Sequence, residues 1–305
     1  MKRPLRVGTD CSGIEAPIVA LRQLKIPFIH EFSSEIDKHC IATIRANFQP
    51  RIIFGDIMER DIRDVPDIDL YICGFPCQPF STAGNREGER DPRGTVFYEC
   101  LRVILHKKPM VFVLENVRGL VSIDGGETFK TILDSLRRLK IYDVQWKILN
   151  TADYGIPQSR KRVFIVGIRR DREKRPFQWP EPIPCRPLEE FVILENRKQP
   201  LPPHFYSSGM ARIINERAIF INLGFTKHRH GNAHKICPCL TADKGKMYCL
   251  SQGRYMSVKE FLSLQGFPQS FKPHGSRTHS LRQAGNSMSV NVIFLILKIA
   301  MECVQ

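Results

Sequence analysis

The sequence predicts an α/β fold: a mostly parallel sheet with helices on both faces, joined to a smaller irregular domain. Two observations carry this expectation. Through the first 170 or so residues, short apolar runs alternate with segments of helical periodicity. That alternation belongs to strand–helix units whose sheet is covered on both sides. Beyond them, eight prolines fall within the 28 positions from Pro176 to Pro203, a density that forbids regular helix and breaks sheet ladders.

The elements follow in order. Leu5 to Thr9 reads as the first strand and Ile14 to Leu24 as the helix after it. Phe28 to Phe32 is strand-like, Ile36 to Phe48 helical, and Ile52 to Phe54 a short strand. Leu70 to Cys73 is the next strand, Thr95 to His106 is helical, and Met110 to Leu114 is a fully apolar strand. Thr128 to Leu139 is helical, and Val144 to Leu149 and Val163 to Ile168 are late strands. Past the prolines, helices are expected at Ala211 to Phe220 and Val258 to Leu264. A last helix, Val290 to Met301, is too apolar to stand alone and should return to the first domain. The domains are then 1–175, a second region 176–268, a hinge 269–281, and the returning C-terminal helix within 282–305.

Net charge is +15, from 46 basic and 31 acidic residues, which favours a polyanionic partner. Between Gln158 and Arg175 eight basic residues face two acids, and Lys272 to Arg282 adds three basic residues and two histidines with no acid. Such clusters suit phosphate contacts. No apolar run approaches the roughly 20 residues of a membrane span, and the basic N-terminus lacks the apolar core of a signal peptide. The ten cysteines are scattered, which points to a reducing, intracellular compartment, cytoplasmic or nuclear, rather than a disulfide framework. Cys237-Pro238-Cys239 with His228, His230 and His234 nearby is poorly spaced for zinc, so no metal is expected. The chain is expected to be a monomer.

Polar residues at predicted strand ends carry the candidate chemistry, because ligands bind at the carboxyl edge of open α/β sheets. Pro76-Cys77-Gln78-Pro79 places a thiol just past the Leu70–Cys73 strand; the alternative is a buried structural cysteine. The turn Thr9 to Glu15 lets a glycine backbone and a helix N-terminus approach a ligand. Glu35 and Asp56 end the next two strands, where carboxylates can accept ribose hydroxyls and an adenine amine. Together the three positions read as a nucleoside pocket, without the Gly-x-Gly-x-x-Gly fingerprint of dinucleotide binders. Glu115 follows the Met110–Leu114 strand. Arg160 and Arg162, at i and i+2, would share one face of an extended segment, with Lys161 pointing the other way.

Pro76-Cys77-Gln78, Glu115-Asn116-Val117, Gln158-Ser159-Arg160-Lys161-Arg162 and Gln283-Ala284-Gly285-Asn286-Ser287, in this order, resemble the ordered motifs of the DNA cytosine-5 methyltransferase family. The resemblance covers nearly the whole chain, with a variable stretch at about 171–235. It implies a Rossmann-like methyltransferase core, S-adenosyl-L-methionine as cofactor and double-stranded DNA as partner. The implied cofactor contacts are Cys11, Ser12, Gly13, Ile14, Glu35, Ile36, Asp56 and Ile57, with Asn286 and Ser287 closing the pocket. Family members usually carry an aromatic residue at the place of Cys11 and often one where Ile36 stands, and often Gly-Gly in place of Glu15-Ala16. Lost ring contacts would weaken cofactor binding.

Cys77 is implied as the nucleophile that adds to carbon 6 of cytosine, which makes carbon 5 reactive toward a methyl group. A positive field from Arg160 and Arg162 would favour its thiolate, and Glu115 would hold cytosine at N3 and the exocyclic amine. The base must be flipped out of the duplex to reach such a site. Gln78 and Ser81, on the loop after Cys77, and Arg169 and Arg170 are expected to contact DNA. The proline-rich region then reads as the target-recognition segment. Two readings compete: a branch of the same family acting on tRNA, which carries a Cys-Phe-Thr tripeptide absent here, and a catalytically silent DNA-binding protein, which would show decay of the thiol, glutamate or arginines.

Overall fold

In the computed structural model, which describes residues 3–76, 95–195, 198–200, 219–223, 232–233, 235–242 and 246–304, the apolar runs form a seven-stranded sheet. Its strands are β1 (Leu5–Asp10), β2 (Phe28–Ser34), β3 (Ile52–Phe54), β4 (Leu70–Cys73), β5 (Val111–Val117), β6 (Tyr142–Asn150) and β7 (Lys161–Arg169). Their order is β3-β2-β1-β4-β5-β7-β6. The first five are parallel neighbours, and β7 runs antiparallel to β5. Every residue of β4, and Val163–Ile168 of β7, is buried. Such continuous apolar strands are what a sheet covered on both faces requires.

The helices alternating with these strands are α1 (Ala16–Gln23), α2 (Lys38–Asn47), α3 (Thr95–Lys107) and α4 (Glu127–Arg137). On α4 the buried residues Phe129, Ile132, Leu133 and Leu136 recur at helical spacing, the stripe that faces a core. Asp37, expected inside a helix, instead caps α2 by accepting from the backbone N–H groups of His39 and Cys40. Two cross-strand pairs set the inner surface of the sheet: Gly8 lies opposite Phe32 and Phe112 opposite Gly167. A Cβ on either glycine would come within 2.2 and 2.0 Å of the facing ring, so each glycine makes room for an aromatic side chain.

The chain divides into two compact units, one of residues 1–149, 161–181 and 292–305, the other of 150–160 and 182–291. The expected boundary at 175 moves to 181 because the basic segment stays with the first unit. Lys174 donates its backbone N–H to the Cys303 carbonyl, and Gln145 Nε2 donates to the Phe177 carbonyl. The second unit contains a four-stranded antiparallel sheet of β8 (Phe220–Asn222), β9 (Asn232–Ala233), β10 (Met247–Cys249) and β11 (Arg254–Tyr255), in the order β11-β10-β8-β9. Phe220 therefore opens a strand rather than ending a helix; residues 211–218 lie outside the described residues.

Helix α5 (Val258–Leu264) has the expected bounds and a capping box between Ser257 and Glu260. The stretch expected as a hinge, 269–281, instead contains the start of α6 (Arg277–Asn286), capped by the Ser276 hydroxyl. α7 (Val290–Val304) follows. The run Arg277–Val304 is long and apolar enough to cross a membrane by length and composition alone. It is two helices broken at Ser287, and 67% of its most apolar window is buried, so its apolar character serves the core.

Candidate active site

The direction of strand order reverses between β1 and β4, the kind of crevice in which open α/β sheets bind ligands. The turn after β1 carries left-handed backbone at alternate positions: Cys11 (φ 48°), Gly13 (φ 56°) and Glu15 (φ 63°). Ser12 donates its N–H to the Ser34 carbonyl and accepts from Ser34 N–H through Oγ, so the ends of β1 and β2 are laced together. Glu35 follows at once. Its Oε2 accepts from Gly13 N–H at 2.7 Å and its Oε1 from the N–H groups of Ile36 and Asp37. Burial raises the pKa of Glu35, and these three backbone donors only partly offset it. Asp56, exposed beyond β3, uses Oδ1 to accept from Met58 N–H. Oε2 of Glu35 and Oδ2 of Asp56 retain acceptor capacity, so these two carboxylates fit the hydroxyls and amine of an adenosine group.

The other residues expected at the cofactor divide by where their side chains go. Ile36 is 74% exposed. Ile14 and Ile57 are buried core residues, so these two have only main chain to offer a ligand. Cys11 packs against the core beside Cys73. Asn286 ends α6 in the second unit, and Ser287 follows it with its hydroxyl turned to the Met288 carbonyl.

Glu15 is a buried polar residue beneath this turn that the sequence did not single out. It is fully buried, and its Oε1 accepts from the hydroxyls of Thr9 and Ser33, each at 2.6 Å, with His30 Nε2 at 3.5 Å. It thus anchors the turn from below. Its left-handed backbone explains why glycine suits this place. The usable signal was the run of polar residues His30, Glu31, Ser33 and Ser34 in a strand that is largely buried.

Glu115 lies within β5, not after it, opposite Phe164 of β7. Because Leu114 pairs with Cys73 in parallel register, Glu115 stands level with Gly74, three residues before Cys77. Arg162, diagonal to Glu115 across the β5–β7 pair, places Nε 3.3 Å from Glu115 Oε1, a cross-strand contact of opposite charges. Asn116 donates through Nδ2 to the Phe75 carbonyl at 2.9 Å. That bond fixes the segment leading into Pro76, a positioning role the sequence did not reveal. Cys77, Gln78 and Ser81 lie outside the described residues, as do His228, His230 and His234. Burial pushes the thiols of Cys73, Cys185, Cys237, Cys249 and Cys303 up, so none of these is poised as a thiolate.

The structure does not pair Arg160 with Arg162 on one face. β7 begins at Lys161, and Arg160 N–H is turned to the Asn150 side chain and the Gln158 carbonyl. The Arg160 guanidinium is buried within the second unit, where Nη1 donates to the Leu240 carbonyl and Nη2 to those of Gly285 and Ser287. Beside it, Gln158 donates to the Leu264 carbonyl and accepts from Leu240 N–H. Gly285 packs on the Thr241 backbone, where a Cβ would fall 2.4 Å from the carbonyl. Gln158, Arg160 and Gly285 therefore knit distant segments into one scaffold.

Arg169 and Arg170, expected to contact DNA, lie at the end of β7. Because β7 is antiparallel to β5, its end lies at the amino edge of the parallel strands, roughly 16 Å along the strand from Phe164. There Arg169 is bound to Asp171 and to the Lys108 carbonyl.

Comparison with known proteins agrees with this architecture. Residues 10–201 and 194–302 match the C-5 cytosine-specific DNA methylase family. The type II methyltransferase M.NgoBI of Neisseria gonorrhoeae is 39% identical over 276 residues, covering 88% of this chain and 84% of its own length. M.HhaI of Haemophilus parahaemolyticus is 29% identical, covering 86% and 84%. Among solved structures, the Entamoeba histolytica methyltransferase EhMeth superposes with a TM-score of 0.75 at 19% identity, covering 99% of both chains. The S. pombe Dnmt2 methyltransferase does so with 0.73 at 19%, covering 98% of both. These share the fold. With the sequence relatives, they lead to one conclusion: the chain belongs to the C-5 cytosine-specific DNA methylase family and is a DNA (cytosine-5-)-methyltransferase.

Proposed function

We propose that the chain moves a methyl group from S-adenosyl-L-methionine to carbon 5 of a cytosine flipped out of double-stranded DNA, through a covalent adduct on Cys77. The observation that carries this reading is the Glu115–Arg162 pair at the carboxyl edge of β5, level with the strand end that leads to Cys77. The cofactor would supply an electrophilic methyl group. Glu35 and Asp56 would hold its adenosine half.

The Cys77 thiolate adds to carbon 6, and the electrons of the 5,6 double bond become available at carbon 5. Glu115, entering as the protonated acid, accepts from the exocyclic amine and donates its proton to N3, which orients the ring and relieves the negative charge there as the thiolate adds; the proton returns to Glu115 when the thiolate leaves. Arg162 holds the Glu115 carboxyl group in place for that contact. Once carbon 5 carries the methyl group, a base, water in this reading, takes its proton. The carbon–sulfur bond then breaks and the thiolate is restored. Arg160 acts through the scaffold rather than on the thiolate. The name shared by the sequence relatives, type II methyltransferase, favours modification that protects DNA from a partner nuclease.

The test is a methylation assay with labelled cofactor on mixed-sequence duplex DNA, with tRNA alongside. Cys77→Ser is expected to abolish turnover and keep DNA binding, and the unaltered enzyme to form a covalent complex with DNA carrying 5-fluorocytosine at its target. Methylation at the normal rate by Cys77→Ser would overturn the mechanism. Transfer to tRNA alone would overturn the substrate.

A further inference from the structure

Arg60 is a charged side chain almost wholly inside the first unit. Its side chain is 4% exposed, and that of its partner Asp10 is fully buried. Nη1 and Nη2 of Arg60 bind Oδ1 and Oδ2 of Asp10 at 2.7 and 2.8 Å, a two-pronged contact, and Nη1 also donates to Ser34 Oγ at 2.7 Å. The Tyr71 hydroxyl donates to Asp10 Oδ2 at 2.7 Å. The guanidinium also lies 5.3 Å from the Phe32 ring centroid and 5.1 Å from that of Phe54.

The places of these partners give the network its meaning. Asp10 ends β1, immediately before the turn that starts at Cys11. Ser34 ends β2, immediately before Glu35. Arg60 stands four residues beyond Asp56 on the segment after β3, and Phe54 ends that strand. One guanidinium therefore joins the roots of all three segments that carry the adenosine contacts. Buried ion pairs add little net stability over apolar packing of equal volume, whereas a planar two-pronged contact fixes position and angle.

We propose that Arg60, with Asp10, is a positioning residue for the cofactor: it holds the Asp56 segment in register with Glu35 and the turn after β1. This rests on the reading of that crevice as the S-adenosyl-L-methionine site. Neither residue touches the cofactor; both act through the loops they tie.

The experiment compares the unaltered protein with two variants. Arg60→Met alone would leave Asp10 buried and unpaired, so the informative change is the triple Asp10→Leu, Arg60→Met, Tyr71→Phe, which removes the charges and the hydroxyl together. The second variant, Arg60→Lys, keeps the charge but loses the fork. For the triple variant, affinity for S-adenosylhomocysteine by calorimetry is expected to fall about tenfold or more, as misplacement on the ångström scale does elsewhere. Its cofactor KM should rise in step. Its kcat at saturating cofactor and its DNA affinity should stay within about twofold, a split that loss of purely uniform binding produces. Arg60→Lys should show the same split, smaller in size.

A folded triple variant with unaltered cofactor affinity would overturn the proposal. So would a triple variant that fails to fold, which would make the pair purely structural. Unaltered protein that binds no S-adenosylhomocysteine would overturn the cofactor reading itself, and is seen before any variant is made.

Discussion

A carboxylate that accepts three backbone N–H bonds ordinarily sits below its usual pKa, yet Glu35 is held above 4.5 because burial outweighs those bonds. The sign matters for ligand binding. Only the ionised carboxylate accepts from hydroxyls with both oxygens, so cofactor affinity is fully present above the raised pKa and lost as pH falls through it. Titration calorimetry on the unaltered protein should show this loss beginning at a higher pH than an ordinary glutamate would give. Glu35→Gln should bind more weakly at neutral pH and lack that pH dependence. The places of Glu35 and Asp56 in the fold were legible in the sequence because Glu35 directly follows β2 and Asp56 stands two residues beyond β3. Glu15 was not, since its side chain turns inward while its backbone takes a conformation that glycine would supply. Arg160 misled for a related reason. Spacing of two puts side chains on one face only within a continuous strand, and the strand starts one residue later.

At the scale of elements, the apolar strands and most helices were readable because burial on both faces leaves an unbroken hydrophobic run. α6 was missed: its buried positions include Ser280, Gln283 and Gly285, so the stripe is not apolar, although Ser276 offered a capping signal. The direction of β7 was unreadable, since an apolar run looks alike in either sense. The Gly167–Phe112 pair gives this scale its test. A methyl group at 167 would fall 2.0 Å from the Phe112 ring, and that ring also meets the Tyr142 ring edge-on, 5.0 Å away centroid to centroid. Gly167→Ala is therefore expected to cost about 1–3 kcal/mol, the range for overpacking a core, read by chemical denaturation. Adding Phe112→Leu should recover part of the loss, because the two residues share one contact.

For the whole molecule, the proline density announced a second unit, but not where the chain would enter and leave it. Those crossings fall between 149 and 150, 160 and 161, 181 and 182, and 291 and 292. They refine the test of where sequence choice resides. Base-edge contacts specify and phosphate contacts position, and we expect the former to reside in the second unit. Exchanging 182–253 for the matching segment of a relative leaves Lys174 and Phe177 in their hydrogen bonds with Cys303 and Gln145. The chimera should stay active and methylate the donor's site, read by base-resolution mapping of methylated cytosines. An active chimera that kept the original site would assign specificity elsewhere.

The return of Val292–Val304 to the first unit bears on how this protein is made. Its strands leave the ribosome early, whereas Ile293, Ile296, Leu297 and Met301, all buried in the finished fold, are translated after the whole of 182–291. At roughly 10 residues per second that delay is on the order of ten seconds. Throughout it the nascent first unit lacks these apolar side chains and leaves uncovered the surface they pack on, a strip of the kind holding chaperones recognise.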